Sequence, residues 1–250
     1  MGSVAIVGHV LRRAEPLDPA QRVLVQLVTL ASSASARERV VYRSIERGAE
    51  LMGWRYLRRE YRTRTLLHGP QATLDGLAGA LAAASAEPDV AAVDLLVNPH
   101  GTSAKVWFAD GFVDSHEVCT AIRDRLDPQQ RRRLRAAFST ACYGMSHTDA
   151  WLRSGFAVAV GSRGIYADGI TSLPRLLHGW SSGATVEAAV AEANAADRRR
   201  WQDAAAAHYY RRTGREAESR AVDSERVVDG ARSMVISTDP AQWRPGSLPA

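Results

Sequence analysis

A chain of 250 residues with 46% hydrophobic content has the composition of an ordinary globular protein and fits one large domain or two small ones. The formal net charge of +5 would suit a nucleic-acid binder, but Lys105 is the sole lysine and the arginines are spread along the chain, as GC-rich coding produces, so no nucleic-acid partner is expected. Two cysteines provide no disulfide framework, no run approaches the ~18 apolar residues of a membrane span, and Met1 to Val10 lacks a basic leader; the expectation is a cytoplasmic protein with no membrane partner.

Residues 1–21 hold an apolar segment, Val4 to Val10, and a Pro-containing connector, an N-terminal arm or edge strand. Arg22 to Leu30 reads as a strand, ended by the small polar loop Ala31 to Ala36, and Val40, Val41, Ile45, Ala49 and Met52 then recur at helical spacing. Trp54 to Thr65 alternates apolar and charged residues, which predicts a strand near a sheet edge. Thr73 is a candidate cap for a helix with a Leu74, Leu77, Leu81, Ala84 stripe.

Val90, Ala91, Ala92, Val93, Leu95, Leu96 and Val97 make an apolar run that predicts a strand buried on both faces, delivering Asn98-Pro99-His100-Gly101 at its end. Lys105 to Asp114 reads as a hairpin around Asp110-Gly111, followed by a helix capped by Ser115 and closed by Asp127-Pro128. Leu134 to Phe138 is a second buried strand, running into Ser139-Thr140-Ala141-Cys142-Tyr143-Gly144. A short helix from Thr148 or Asp149 stops at Gly155, and a strand over Phe156 to Val160 ends at Gly161-Ser162-Arg163-Gly164. Ile170 to Trp180 predicts a short helix, Thr185 to His208 a long one, Arg211 to Arg220 a mobile loop and Met234 to Ser237 a last strand. The alternation gives an α/β fold with a mostly parallel central sheet flanked by helices, its main body at 22–208 and a polar loop, possible strand and tail at 209–250.

His100, Cys142 and Gly161-Ser162 all fall at the carboxyl ends of predicted strands, where open α/β sheets bind ligands. A thiol beside an imidazole and a helix start favours the thiolate, and amides near Gly101 and Cys142 suit a tetrahedral oxyanion; together these make a thiol acyl-transfer site. His116 and Cys119 have the spacing of half a metal site, but with no second ligand pair no metal is assigned, and Cys119 is expected to pack in a helix core beside Ile122.

His100-Gly101 after one apolar strand and Ala141-Cys142 after the next resemble the His-Gly and Ala-Cys signatures of the caspase-like (clan CD) cysteine peptidases, of the clostripain, gingipain and CHAT-protease type. The likeness extends to the hairpin after His-Gly, to the strand ending in Gly161-Ser162 and to the helix opening at Gly183-Ala184-Thr185, over roughly Arg22 to Ala205. It implies a cysteine endopeptidase, or an acyl-transferring relative, acting on a peptide or protein without an organic cofactor. His100 would be the acid–base group, Cys142 the nucleophile and Gly101 an oxyanion amide, with Thr140, Gly161, Ser162, Arg163 and Asp168 near the substrate and Ser162 to Tyr166 lining the primary specificity pocket. Several Arg-specific members carry an acidic residue where this chain has Thr140, so their preference does not transfer; Asp168 or Asp149 is the alternative acid. Calcium activates some relatives, but no acidic cluster locates a site here.

Two other readings compete. Gly144-Met145-Ser146-His147-Thr148 approaches the Gly-x-Ser-x-Gly elbow of serine hydrolases, with Asp168 and His178 or His208 completing a triad, although Thr148 replaces the second glycine. A catalytically silent caspase-like domain would keep the fold for binding or scaffolding.

Overall fold

The computed structural model describes residues 15–31, 38–169, 171–195 and 197–242. The expected arm at Val4 to Val10 lies outside these residues, as does the loop beyond Ala31. In chain order the elements are β1 (Arg22–Val28), α1 (Glu38–Leu57), β2 (Thr63–His68), α2 (Leu74–Ala86), β3 (Ala92–Asn98), β4 (Lys105–Phe108), β5 (Gly111–Asp114), α3 (Ser115–Arg125), α4 (Pro128–Arg131) and β6 (Leu134–Ser139). There follow α5 (Thr148–Ser154), β7 (Val158–Ser162), α6 (Ser172–Ser181), α7 (Val186–Asn194), α8 (Asp197–Arg212), α9 (Glu216–Ala221) and β8 (Arg226–Gly230).

Six strands form one sheet in the order β2-β1-β3-β6-β7-β8, while β4 and β5 pair separately as the hairpin beyond His100. Every neighbouring pair is parallel except β7 with β8. Strands β1, β3 and β6 are buried along their whole length, which is why their sequences read as mainly apolar runs instead of alternating, with Gln26, Asp94 and Arg135 as interior polar exceptions. One face is covered by α2, α3 and α5 through Leu77, Leu81, Ile122 and Trp151. The other is covered by α1, α6 and α7 through Leu57, Leu176, Trp180 and Val190.

Two charges sit inside this apolar sheet. Asp94 on β3 and Arg135 on β6 pair at 2.6 Å with neither side chain exposed. Asp94 also accepts from Arg135 Nε at 3.0 Å, from the Ala136 amide at 3.0 Å and from the Tyr61 hydroxyl, to which the Trp180 indole donates at 3.0 Å. Burial first, and then the Asp94 charge, holds the Tyr61 phenol well above its ordinary range, so it remains a donor. Arg135 Nη1 donates to the carbonyls of Ile236 and Thr238, tying the segment after β8 to the middle of the sheet. The β3–β6 ladder shifts register between Val93 and Leu95, and the Asp94 carboxylate takes up the Ala136 amide at that irregularity.

Several expected elements change. Trp54 to Leu57 completes α1 and the edge strand begins only at Thr63, because the apolar and arginine positions before it follow the helix. The hairpin turns on Ala109-Asp110, with Phe108 opposite Gly111. Asp114, not Ser115, caps α3 by accepting the His116 amide at 2.8 Å. The single long helix expected from Thr185 is two, α7 and α8; Asn194 at the end of α7 pairs with the backbone of Arg226 in both directions and pins that turn to β8. Arg211 to Arg220 is the end of α8 and most of α9 rather than a loop. Met234 to Ser237 forms no strand; Met234 and Ile236 instead plug the core, and the last strand is the unpredicted β8.

Removing one partner of a buried ion pair leaves an uncompensated charge, so Asp94→Ala is expected to lower unfolding free energy by about 3–5 kcal/mol in urea titration. Loss of less than about 1 kcal/mol, the scale of an exposed pair, would contradict this role.

Candidate active site

Because β3 and β6 are adjacent and parallel, with Val97 opposite Ser139, the turns that leave them emerge side by side. The contact is close: a Cβ on Gly101 would fall 2.6 Å from the Cys142 carbonyl oxygen and 3.0 Å from the Ala141 Cβ. The residue after His100 must therefore be glycine, and the His-Gly and Ala-Cys turns form one surface. Around Gly101, Trp107 N–H donates to the His100 carbonyl and Thr102 N–H to the Lys105 carbonyl, both at 2.9 Å. These bonds straddle the Gly101–Val106 bridge, a non-hydrogen-bonded pair that leaves the Gly101 amide out of the ladder.

His100 is half-buried, with Nε2 3.0 Å from the Leu30 carbonyl and its ring edge-on to Tyr42 at 4.8 Å between centroids. A carbonyl only accepts, so the neutral ring carries its proton on Nε2 and keeps Nδ1 as the basic nitrogen. Leu30, at the end of the neighbouring strand β1, thus fixes both orientation and tautomer.

Cys142 is half-buried and unpaired. Burial pushes its thiol above the ordinary range, while the amides of Tyr166 and of Cys142 itself pull the other way. The expected help from a helix start is absent: the chain after Cys142 enters a four-residue 3-10 turn, Gly144–His147, before the short α5. Tyr143 adopts a left-handed backbone with φ of 57° and donates its amide to the Gly164 carbonyl at 2.7 Å, so the residue beside the thiol holds a conformation maintained by its surroundings.

The other predicted positions brace this surface. Thr140 accepts from Asn98 Nδ2 at 3.0 Å, linking the two strand ends. Ser162 is fully buried and donates to the carbonyls of Ala141 at 2.9 Å and Gly164 at 3.1 Å. Gly161 admits backbone instead of ligand, since a Cβ there would lie 2.1 Å from the Gly144 carbonyl carbon. Arg163 points outward and pairs with Glu225 at 3.2 Å. Asp168 is buried, and its Oδ1 accepts the amides of Thr171 at 3.1 Å and Ser172 at 3.3 Å at the start of α6, while Oδ2 has no hydrogen-bond partner. Burial raises this carboxyl, and the Thr171 and Ser172 hydrogen bonds and the Arg226 charge oppose that rise. Asp149 is exposed and paired with Arg153 at 2.9 Å.

Sequence reasoning missed the groups behind Cys142. Arg226 on β8 is buried, donates to the Ser139 carbonyl at 3.1 Å and to the Tyr166 hydroxyl at 2.5 Å, and lies 4.6 Å from the Tyr166 ring centroid. Tyr166 in turn donates to the Asp168 carbonyl at 2.5 Å. Tyr210 on α8 lies within electrostatic reach of both Cys142 and Tyr42, placing an aromatic residue from beyond the expected domain body near the thiol. His147, expected only as the variable residue of an elbow motif, is buried with Nε2 2.8 Å from the Thr102 carbonyl.

The serine-hydrolase constellation is not assembled through His178: the exposed Ser146 donates to the Tyr143 carbonyl at 2.7 Å and leads into α5, whereas His178 is on α6, in the opposite helix layer, with its ring 6.2 Å from that of Tyr56. The alternative His208 is on α8. Cys119 is buried on α3 beside Val118 and Ile122 while His116 is exposed, so they form no pair. Among the described residues no group of three or more His, Cys, Asp or Glu is placed to share a metal ion, and no helix is long and apolar enough to cross a membrane.

The fold is caspase-like. It aligns with the crystal structure of caspase-1 from Spodoptera frugiperda over 93% of this chain and 97% of that one, with a TM-score of 0.54 at 8% identity. The Drosophila initiator caspase Dronc aligns over 72% and 73% with a TM-score of 0.46 at 11% identity. No family model and no curated protein sequence matches the chain. The likeness therefore defines a caspase-like α/β architecture, without support for the clostripain, gingipain or CHAT branch that the short motifs suggested.

Two pH dependences follow. Because Cys142 titrates above the ordinary thiol range, its alkylation by limiting iodoacetamide is expected to climb about tenfold per pH unit through neutral and mildly alkaline pH. A plateau near neutrality, read by peptide mass mapping, would contradict this. Burial lowers His147, opposed by its bond to Thr102 and by the Asp114 charge, so the unfolded chain takes up this proton first as pH falls below about 6.5. Stability is therefore lost on acidification in that window, and the loss is expected to be shallower in His147→Gln, compared by urea unfolding across pH.

Proposed function

We propose that the protein is a cysteine endopeptidase, or an acyl-transferring relative, working through His100 and Cys142. The observation that carries this reading is the seating of Gly101 on the Cys142 carbonyl, next to an imidazole whose tautomer is set by Leu30. Nucleophile, base and base-orienting group come from three adjacent strand ends, the arrangement that activated-nucleophile chemistry requires.

In this mechanism the Cys142 thiol gives its proton to His100 as Sγ attacks the scissile carbonyl. The amides of Gly101 and Cys142 receive the oxyanion of the tetrahedral intermediate. Collapse breaks the C–N bond, His100 returns the proton to the leaving amine, and a thioester remains. His100 then takes a proton from water as the water oxygen attacks the thioester; the C–S bond breaks, the carboxylic acid leaves, and His100 returns the proton to the departing Cys142 sulfur. Another amine in place of water gives transpeptidation. The substrate is a peptide or protein, and the loop at Ser162 to Tyr166 would lie beside it, since the Tyr166 amide reaches the Cys142 thiol.

A silent, partner-binding domain is the second reading, favoured by the raised Cys142 thiol. Hydrolysis of a fluorogenic peptide library separates the two. The peptidase reading expects turnover that Cys142→Ala abolishes and His100→Ala lowers by about 10²–10⁴-fold, the range of general acid–base assistance. Turnover surviving Cys142→Ala would sink it.

A further inference from the structure

His147 is buried, is not a participant in the proposed chemistry, and nonetheless touches the centre of the site. Its Cε1 would be 3.2 Å from a Cβ on Gly101, the same position that abuts the Cys142 carbonyl. Its Nε2 is 2.8 Å from the Thr102 carbonyl and its buried Nδ1 has no hydrogen-bond partner. Since the carbonyl only accepts, Nε2 carries the proton and Nδ1 presents a bare lone pair. A buried polar atom left unmatched loses its hydration without compensation, so an apolar residue would serve packing better if packing were the only demand.

We propose that His147 is a positioning residue: its single Nε2–H bond ties the His100-Gly101-Thr102 turn to the loop carrying Cys142, and so sets the Gly101 amide at the distance an oxyanion requires. The inference rests on the peptidase reading for its purpose, but not for its geometry. The bond spans the two turns that β3 and β6 deliver, one residue beyond the glycine that contacts Cys142. Ser162 holds the Cys142 loop from the other side through the Ala141 carbonyl, and Thr29 holds the far side of the histidine turn through the Trp107 carbonyl, so His147 is placed to join the two turns directly beside Gly101.

The test uses the full chain with 15N-labelled histidine. At neutral pH the His147 ring is expected to show a protonated Nε2 and a pyridine-like Nδ1; an Nδ1–H tautomer or an imidazolium would overturn the proposal. His147→Gln keeps an amide N–H near the Nε2 position, His147→Asn falls short of Thr102, and His147→Leu removes the donor. Hydrogen exchange at the amides of the 100–107 turn is expected to quicken by about tenfold or more in the Leu and Asn variants and to stay near parent in the Gln variant. With a cleavable peptide, kcat should fall by about tenfold or more in Leu and Asn with little change in KM, and recover in Gln. Equal exchange in all four proteins, or a Gln variant no better than Asn, would overturn it. A parent that cleaves nothing removes the peptidase reading while the tautomer and exchange results still decide the positioning role, and a Leu variant that does not fold leaves the Gln–Asn comparison decisive.

Discussion

The alignment of β3 with β6 governs everything at the site, and the buried pair of Asp94 and Arg135 fixes it. A sheet of buried apolar strands has little to choose between neighbouring registers when both faces are equally apolar, as they are in β3 and β6. A carboxylate on one strand that must meet a guanidinium on the next, at 2.6 Å and without water, admits one register. Such a pair adds little net stability over apolar residues of the same shape; what it contributes is discrimination, because every misaligned pairing strands two charges in the core. Arg135 extends the constraint to the carbonyls of Ile236 and Thr238, so the far end of the chain is held to the same pair of strands.

At the other end of those strands the site is built from backbone against backbone. Gly101 meets the Cys142 carbonyl, Gly161 meets the Gly144 peptide, and the Ser162 hydroxyl closes the gap to Ala141. Contacts of this kind tolerate little displacement, since a single methyl at either glycine would fall inside a van der Waals radius. The left-handed backbone at Tyr143 belongs to the same economy: its amide is committed to Gly164, which β7 positions, so the turn after the thiol is dictated by the next strand of the sheet.

The sheet was legible because both-face burial writes itself as continuous hydrophobicity, and β1, β3, β6 and β7 stand where Arg22 to Leu30, Val90 to Val97, Leu134 to Phe138 and Phe156 to Val160 predict them. The candidate dyad was legible for a related reason: His100 and Cys142 follow those runs directly. What was hidden has no local signature. Strand β8 is the single antiparallel strand of the sheet and carries Arg226 and Asp229 in a five-residue segment, so neither alternation nor apolar content marks it. The break between α7 and α8 depends on Asn194 meeting Arg226, a contact across 32 residues. Asp94 and Arg135 could be seen as charges in apolar runs, a pattern that in hindsight signals a pair, but their pairing requires the strand order. His147 looked like an elbow residue because the motif around it was read linearly, while its partner is Thr102 in another turn.

Burial at the site acts in two directions. It raises the Cys142 thiol, so on the proposed mechanism the resting nucleophile is protonated and an imidazole oriented by the Leu30 carbonyl is its partner. A preformed thiolate–imidazolium pair would need the opposite environment, one that stabilises separated charge before substrate arrives. The same exclusion of water strengthens amide dipoles aimed at a developing oxyanion, because charge–dipole attraction grows as the local dielectric falls. On the proposed mechanism the protein therefore places little of its electrostatic advantage in the ground state. Proton transfer from Cys142 to His100 is favourable only when the negative charge moves at once onto the substrate oxygen beside Gly101, which couples ionisation of the thiol to the presence of a correctly seated carbonyl.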